Sequence, residues 1–420
     1  MKKKILLKAP LLTRSGYGEQ SRFALRAMQS RPDLFDIYIQ PLQWGQTSWI
    51  SEADEEKEWI DNTIEKTISY LQEGGQFDAS FQVTIPNEWE RIAPVNIGFT
   101  AGIETTNVTH EWIQKGNDID KILVVSDHSA NTYQRTQFVG TNTQTNQEVI
   151  VKLHTPIATI NYPVKDFGEP SNLGITLDYD INLFVMAQAG PRKNLPNTLK
   201  WFVEEFHDEE VGLVVKSNIS KNCLMDRERL FNDFKSFLTN YPDRKCKVYL
   251  LHGDMTDKEI HSLFEHPQIK AFLTLTHGEG FGLPIFEAAY VGMPVIAPGW
   301  SGQLDFLVNS TTGVSEFYNV EYDIGPIPEQ VVWEGVISKE SMWAYPREHS
   351  AKQQMRRCYA DLGPDKYEET MAKATQHAEY LCEKFAEEKQ YALMVLEICD
   401  ALHVNPNESA AAMPTILDFE

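Results

Sequence analysis

Two carboxylates, one guanidinium and two ammonium groups stand where this sequence can do chemistry. The run Thr276-His277-Gly278-Glu279-Gly280-Phe281-Gly282-Leu283-Pro284-Ile285-Phe286-Glu287-Ala288-Ala289 passes from an apolar strand through a three-glycine loop into a helix. Pro284 suits the first turn of that helix, where its missing N–H costs nothing. Amides at a positive helix terminus suit a phosphate or diphosphate, with Glu279 before the helix and Glu287 inside it flanking the anion. The plainer alternative is a βα turn whose glycines only permit packing. Upstream, Gly190-Pro191-Arg192-Lys193-Asn194 follows an expected strand at 181–187. A planar guanidinium beside an ammonium suits a diphosphate that must depart as a leaving group. Lys216, ending the apolar run 212–215, is the candidate for a third positive charge, and a solvated strand end is the competing reading.

These groups need elements to hold them. Strands are expected at 4–8, 36–40, 79–85, 96–100 and 122–125, with helices at 19–28 and 52–71; in the latter, Ile60, Ile64, Ile68 and Leu71 recur at helical spacing. A second series follows: strands at 181–187, 212–216, 247–251, 271–276 and 294–297, and helices near 199–206, 227–238, 257–264 and 284–290. Strands alternating with helices predict parallel sheets covered on both faces, and two such series predict two Rossmann-like domains facing a cleft. Chemistry then belongs in the loops at the carboxyl ends of the strands. Pro163, Gly168 and Pro170 mark the boundary, giving domains 1–170 and 171–363. Residues 364–403 read as helical, 404–420 as a poorly ordered tail, and 141–147 as a polar stretch without periodicity.

Composition narrows the partners. The chain has 420 residues and, from 38 basic and 60 acidic side chains, a net charge of −22. Such a charge repels nucleic acid and anionic lipid unless a local basic patch intervenes. The apolar run Ile5-Leu6-Leu7 is too short for a membrane span or a signal-peptide core. Five widely spaced cysteines without a C-x-x-C pair argue for reduced thiols and a cytoplasmic location, and the eleven histidines show no metal-ligand spacing. His252, His261 and His266 are read as surface or strand-end residues. The loop Arg14-Ser15-Gly16-Tyr17-Gly18-Glu19 nearly spells a dinucleotide fingerprint. However, Ser21 replaces its third glycine, and Asp36 precedes the second strand's apolar residues instead of following them, which counts against a nicotinamide enzyme.

Glu279 and Glu287 enclosing Gly280 to Phe286, continued by Ala288-Ala289-Tyr290-Val291-Gly292-Met293-Pro294-Val295-Ile296-Ala297 and by Gly302 before Asp305, resemble a known signature. It is that of the retaining nucleotide-sugar glycosyltransferases of the GT-B fold, family four. The resemblance implies an α/β GT-B architecture of two Rossmann-like domains, and metal-independent transfer from a UDP- or GDP-linked sugar to a hydroxyl with retention at the anomeric carbon. It implies no cofactor beyond that co-substrate. It places Glu279 near the donor sugar with Arg192 and Lys193 on the diphosphate, and Glu287 on the ribose. Backbone amides of Gly280, Phe281, Gly282 and Leu283 would serve the sugar or diphosphate, and the residues around Met255 the base.

The same resemblance takes the Gly16–Gly18 loop toward the donor phosphate or the acceptor. It sets Glu104, from Gly102-Ile103-Glu104-Thr105-Thr106, on the acceptor side with His110 and Asp127, although an exposed helix start is the plainer reading of His110. One variant of the family carries a further Arg where Ala187 and Gln188 stand here, so Lys216 is expected to supply that charge. The last helix is implied to return from the second domain to the first. Alternatives sharing the phosphate cleft are a sugar-nucleotide epimerase, a phosphorylase or an inactive binding module. For the acceptor, residues 44–49, with Trp44, Gln46, Ser48 and Trp49, suit a sugar or a packed loop. Distant GT-B enzymes act on modified DNA bases, so the fold leaves that acceptor open while the charge disfavours it. Arg192, Lys193 and Lys216 are expected to form a positive pocket on a negative background.

Overall fold

The computed structural model describes residues 2–45, 47–51, 54–141 and 145–406. Apolar runs such as Ile5 to Leu7 become central strands because parallel strands are buried on both faces. Strands β1 (Lys3–Ala9), β2 (Phe35–Pro41), β3 (Ala79–Val83), β4 (Val95–Thr100) and β5 (Lys121–Val124) pair in parallel. An outlying antiparallel hairpin, β6 (Gln137–Thr141) with β7 (Glu148–Lys152), precedes β8 (Ile157–Thr159), which completes a six-stranded sheet of order β2-β1-β3-β4-β5-β8. Of the polar stretch 141–147, Thr141 ends β6 and residues 145–147 precede β7, while residues 142–144 lie outside the described residues.

Helices α1 (Gly16–Gln29), α2 (Glu55–Gln72), α3 (His110–Asn117) and α4 (Asp127–Arg135) accompany this sheet. In α2 the expected apolar stripe is only partly buried. Ile60 is buried, but Ile68 and Leu71 are 52% and 51% exposed, and Thr63 and Thr67 take their place. The reason lies on the edge strand β2, whose Ile39 N–H donates to Thr67 Oγ1 at 2.8 Å. An edge strand's outward amide needs a partner, and a threonine stripe supplies one. The helix starts after Asp54, whose side chain caps Lys57 N–H, and the expected start at Glu52 lies outside the described residues.

The second sheet contains β9 (Asn182–Met186), β10 (Gly212–Lys216), β11 (Lys247–Leu251), β12 (Ile269–Leu273), β13 (Val295–Pro298) and β14 (Tyr318–Val320) in the order β11-β10-β9-β12-β13-β14. Helices α5 (Leu195–Glu205), α6 (Leu224–Leu238), α7 (Asp257–Phe264), α8 (Leu283–Tyr290) and the short α9 (Leu304–Leu307) connect its strands. Several elements have no counterpart among those expected: β6, β7, β8, α4, α9 and β14, the antiparallel hairpin β15 (Tyr322–Pro326) with β16 (Met342–Pro346), and α10 (Glu348–Asp361). The final helical stretch is two helices, α11 (Tyr367–Lys384) and α12 (Glu387–Ala401). α11 packs on α8 and α12 on α1, so the chain returns to the first sheet.

A continuous apolar core runs from Leu7, Phe81 and Phe99 through Phe281, Phe286 and Phe306 to Phe385 and Ile398. Of the tail expected at 404–420, residues 407–420 lie outside the described residues. Val404 N–H donates to Cys399 O and Pro406 O accepts from Arg31 Nη2, both at 2.9 Å. Among the described residues, no helix is long and apolar enough to cross a membrane.

Candidate functional site

In the second sheet the strand order reverses between β9 and β12, and the loops after these two strands meet at that switch point. Those loops carry Arg192-Lys193 and Gly278-Glu279, residues nearly ninety positions apart in sequence. Their backbones are joined: His277 N–H donates to Arg192 O at 2.9 Å, and Asn194 Nδ2 donates to Leu275 O at 2.9 Å. Asn194 takes the left-handed conformation (φ 53°) between a single turn at Pro191–Lys193 and α5, a geometry Asn tolerates better than most residues.

The side chains converge on Glu279. Arg192 Nη1 donates to Glu279 Oε2 at 2.8 Å and to Gly278 O at 2.7 Å, and Lys193 Nζ reaches Glu279 Oε1 at 2.6 Å. From the facing domain, Glu104 Oε1 approaches Arg192 Nε at 3.3 Å. Glu279 is almost wholly buried. Burial alone would raise its pKa, but Arg192 and Lys193 outweigh that and hold it at about 2. Burial pulls the Lys193 pKa down, with Glu279 opposing; for Arg192 the two carboxylates outweigh burial and push it up. The cluster pairs two cations with two anions. Arg192 and Lys193 are therefore balanced as they stand, because the facing loop contributes Glu104 and the glycine loop Glu279; Lys216, the third cation expected there, donates to Gly253 O instead.

The glycine loop is packed, not open. A Cβ on Gly278 would lie 2.5 Å from Glu104 O, one on Gly280 2.2 Å from Ala101 O, and one on Gly302 2.1 Å from Gly280 O. Gly278 and Gly280 thus let two loops of opposite domains touch, and Gly302 lets its own loop lie against Gly280. The Glu279 amide is already bonded to Ser301 Oγ at 2.8 Å. Gly282, at φ 99°, caps α8, and the Phe281 ring is core, 5.2 Å from Tyr162 and 5.0 Å from Phe306. Leu283, the first residue of α8, is half-buried.

Glu287 lies on α8, apart from the ion cluster. Its Oε1 is 3.3 Å from His261 Nδ1, and burial raises its pKa against the opposing effect of His261. His261 is buried on α7, which corrects its reading as a surface or strand-end residue; its ring also meets Phe167 at 4.8 Å. His252 does follow β11, but its side chain is buried against Asp226 at 2.9 Å. Lys216 is not a solvated strand end: it is buried, its Nζ donates to Gly253 O at 2.6 Å, and burial lowers its pKa. Met255 O accepts from Arg14 Nη1 at 3.3 Å across the cleft.

Gly16 and Gly18 differ in kind. Gly16 opens α1 with free space beyond its Cα, whereas a Cβ on Gly18 would lie 2.0 Å from Thr13 O. The loop carrying Trp44 and Trp49 is pinned by Arg14 N–H to Ser48 O at 2.8 Å, and Trp44 lies 4.2 Å from the Tyr17 ring; Gln46 is outside the described residues. His110 starts α3, is exposed, and pairs with Glu111 at 3.0 Å away from the cluster. The Asp127 carboxylate is exposed at the start of α4, and its N–H donates to Asp305 Oδ2 at 2.9 Å.

Asp305 had no role in the sequence reading. Asn161 Nδ2 also donates to its Oδ2 at 2.9 Å, and burial raises its pKa to about 6. Only its place after Gly302 singled it out, since its partners come from distant elements. Among the described residues, no group of three His, Cys, Asp or Glu side chains is placed to hold a metal ion.

No protein-family model and no curated protein matches the sequence. Solved structures do. A glycosyltransferase from Rickettsia africae ESF-5 superposes over 96% of this chain and 99% of its own, with a TM-score of 0.60 at 13% identity. A sucrose-phosphate synthase from Thermosynechococcus elongatus gives the same score and identity over 96% and 100%.

The chain has the GT-B fold.

An Anabaena protein, HepE, solved in complex with UDP and glucose, superposes over 95% of this chain and 100% of its own, with a TM-score of 0.56 at 11% identity. At such identities the likeness speaks to architecture alone.

Proposed function

We propose that this GT-B protein moves a glycosyl group from a nucleoside diphosphate sugar to an acceptor hydroxyl, with retention at the anomeric carbon. The observation that carries the reading is the meeting of Arg192, Lys193, Glu279 and Glu104 at the switch point, between the two sheets. Retention and membership of family four rest on the spacing of Glu279 and Glu287 and its resemblance to that family. Residues 1–170 serve as the acceptor domain, residues 171–363 as the donor domain, and the helices of 364–403 tie them. The free cysteines suit a cytoplasmic protein.

In this reading the donor's diphosphate displaces Glu279 from Arg192 and Lys193, and the freed carboxylate takes a hydroxyl of the donor sugar. The bond between the anomeric carbon and the diphosphate oxygen breaks, the acceptor oxygen bonds on the same face, and the acceptor's proton passes to the leaving diphosphate. Arg192 and Lys193 neutralise the departing charge, a role assigned here to side chains and not to a metal ion. Glu287 holds the ribose hydroxyls. The backbone near Met255 and Gly253 lies beside the base, and Gly16 leaves room at the phosphate. The complex of HepE with UDP and glucose makes UDP-sugars the first donors to test. Release of nucleoside diphosphate from a donor panel is the assay. Glu287→Ala and Arg192→Ala are expected to lose at least about a hundredfold in kcat/KM. Failure of any donor to bind, or full activity in both variants, refutes the reading.

A further inference from the structure

The hairpin formed by β15 and β16 reaches both loops that carry the cluster's carboxylates. Ala344 N–H donates to His277 O at 3.1 Å, two residues before Glu279. At its other end, Met342 O accepts from Thr106 N–H at 2.9 Å, and Met342 N–H donates to Thr106 Oγ1 at 3.0 Å, two residues after Glu104. This bridge places a group of rings beside Glu104. Trp300 Nε1 approaches Glu104 O at 3.4 Å; the Trp300 ring is 5.0 Å from His128, edge to face, and 5.8 Å from Tyr322 at the start of β15. All three rings are half-buried, and His128 follows Asp127, whose carboxylate is exposed. Burial lowers the His128 pKa to about 4, so its ring is neutral at physiological pH.

We propose that Trp300, Tyr322 and His128 wall an acceptor subsite for an uncharged sugar ring. The inference rests on the glycosyl-transfer reading and names its acceptor class. The C–H faces of a pyranose carry slight positive charge and meet the negative face of an aromatic ring, while its hydroxyls need acceptors at the rim. Glu104 and Asp127 are such acceptors. Both are carboxylates, which repel a phosphate and therefore disfavour a nucleic-acid or phosphorylated acceptor. Of the cations, Arg192 is shared between Glu104 and Glu279, and Arg135, at the far end of α4, acts on His128 electrostatically.

The test uses the full chain with UDP-glucose and a wider UDP-sugar panel, offering as acceptors neutral saccharides, a serine- and threonine-containing peptide, and a nucleoside. Transfer to a saccharide is expected, with Trp300→Ala raising the acceptor KM about tenfold and Tyr322→Ala about threefold, while the donor Kd stays within about twofold. Trp300→Phe, which keeps a ring, is expected to recover most of the acceptor KM. An unmoved acceptor KM, a donor Kd that shifts as much as the acceptor KM, or transfer to the peptide or nucleoside alone overturns the subsite. Absence of donor binding to the wild type refutes the donor reading, and the subsite falls with it.

Discussion

Replacing Glu279 by Gln removes the charge on which Arg192 and Lys193 converge, and the cost can be worked from the fold. The carboxyl is held at about 2, against 4.5 for the unperturbed group. That gap of about 2.5, at about 1.36 kcal/mol for each pH unit, makes the ionised carboxylate worth about 3 kcal/mol at neutral pH. The folded pKa is depressed, so the contribution is complete above pH 4.5 and declines as pH falls toward 2. Lys193 would lose its carboxylate partner, while Arg192 would keep Glu104.

Unfolding in urea, compared between wild type and Glu279→Gln, is expected to show a deficit of about 2–3 kcal/mol at pH 7, with the glutamine's neutral hydrogen bonds recovering the remainder. At pH 3.5 the deficit should shrink by about 1.4 kcal/mol, one pH unit's worth. The same variant leaves the cluster with a surplus positive charge, so it should bind UDP more tightly than wild type, by at least about tenfold, while turning over far more slowly. A deficit below about 0.5 kcal/mol at pH 7, or UDP binding that weakens, would sink the claim that these cations are held in reserve by Glu279.

Two further outcomes follow from the geometry. Gly18→Ala is expected to cost roughly 1–3 kcal/mol in thermal or urea unfolding, because its Cβ would meet Thr13 O at 2.0 Å, whereas Gly16→Ala should fall within about 0.5 kcal/mol of wild type; equal effects would contradict the packing assignment. Asp305 has a folded pKa raised from 3.8 to about 6, so the stability tied to its uncharged form is full below pH 3.8 and lost as pH rises through 6. Asp305→Asn keeps an oxygen for Asp127 N–H and Asn161 Nδ2, and should therefore be more stable than wild type by about 2–3 kcal/mol at pH 8, a gain that disappears near pH 4. A gain that persists at pH 4 would show that ionisation is not its source.

The sequence by itself determined the buried parallel strands, the helices between them and the local chemistry. Strands such as β1, β10 and β12 are legible because a buried parallel strand needs an unbroken apolar run. The start of α8 is legible because Pro284 and Gly282 satisfy local backbone rules. Glu279, Arg192 and Lys193 stood out because their types and spacing carry chemistry without reference to any partner.

What only the tertiary structure decided was who meets whom. The neutral cluster depends on Glu104, whose distance in sequence from Arg192 and Glu279 leaves no trace of their contact. The glycines at 278 and 280 are small because a loop of the other domain lies against them, a constraint with no local signature. The burial of His261 against Glu287, the Asp305 contacts, and the hairpin that sets Tyr322 beside Trp300 have the same origin. Each is a long-range contact formed when two sheets close on one another. Periodicity reports which face of an element is buried, but not what buries it.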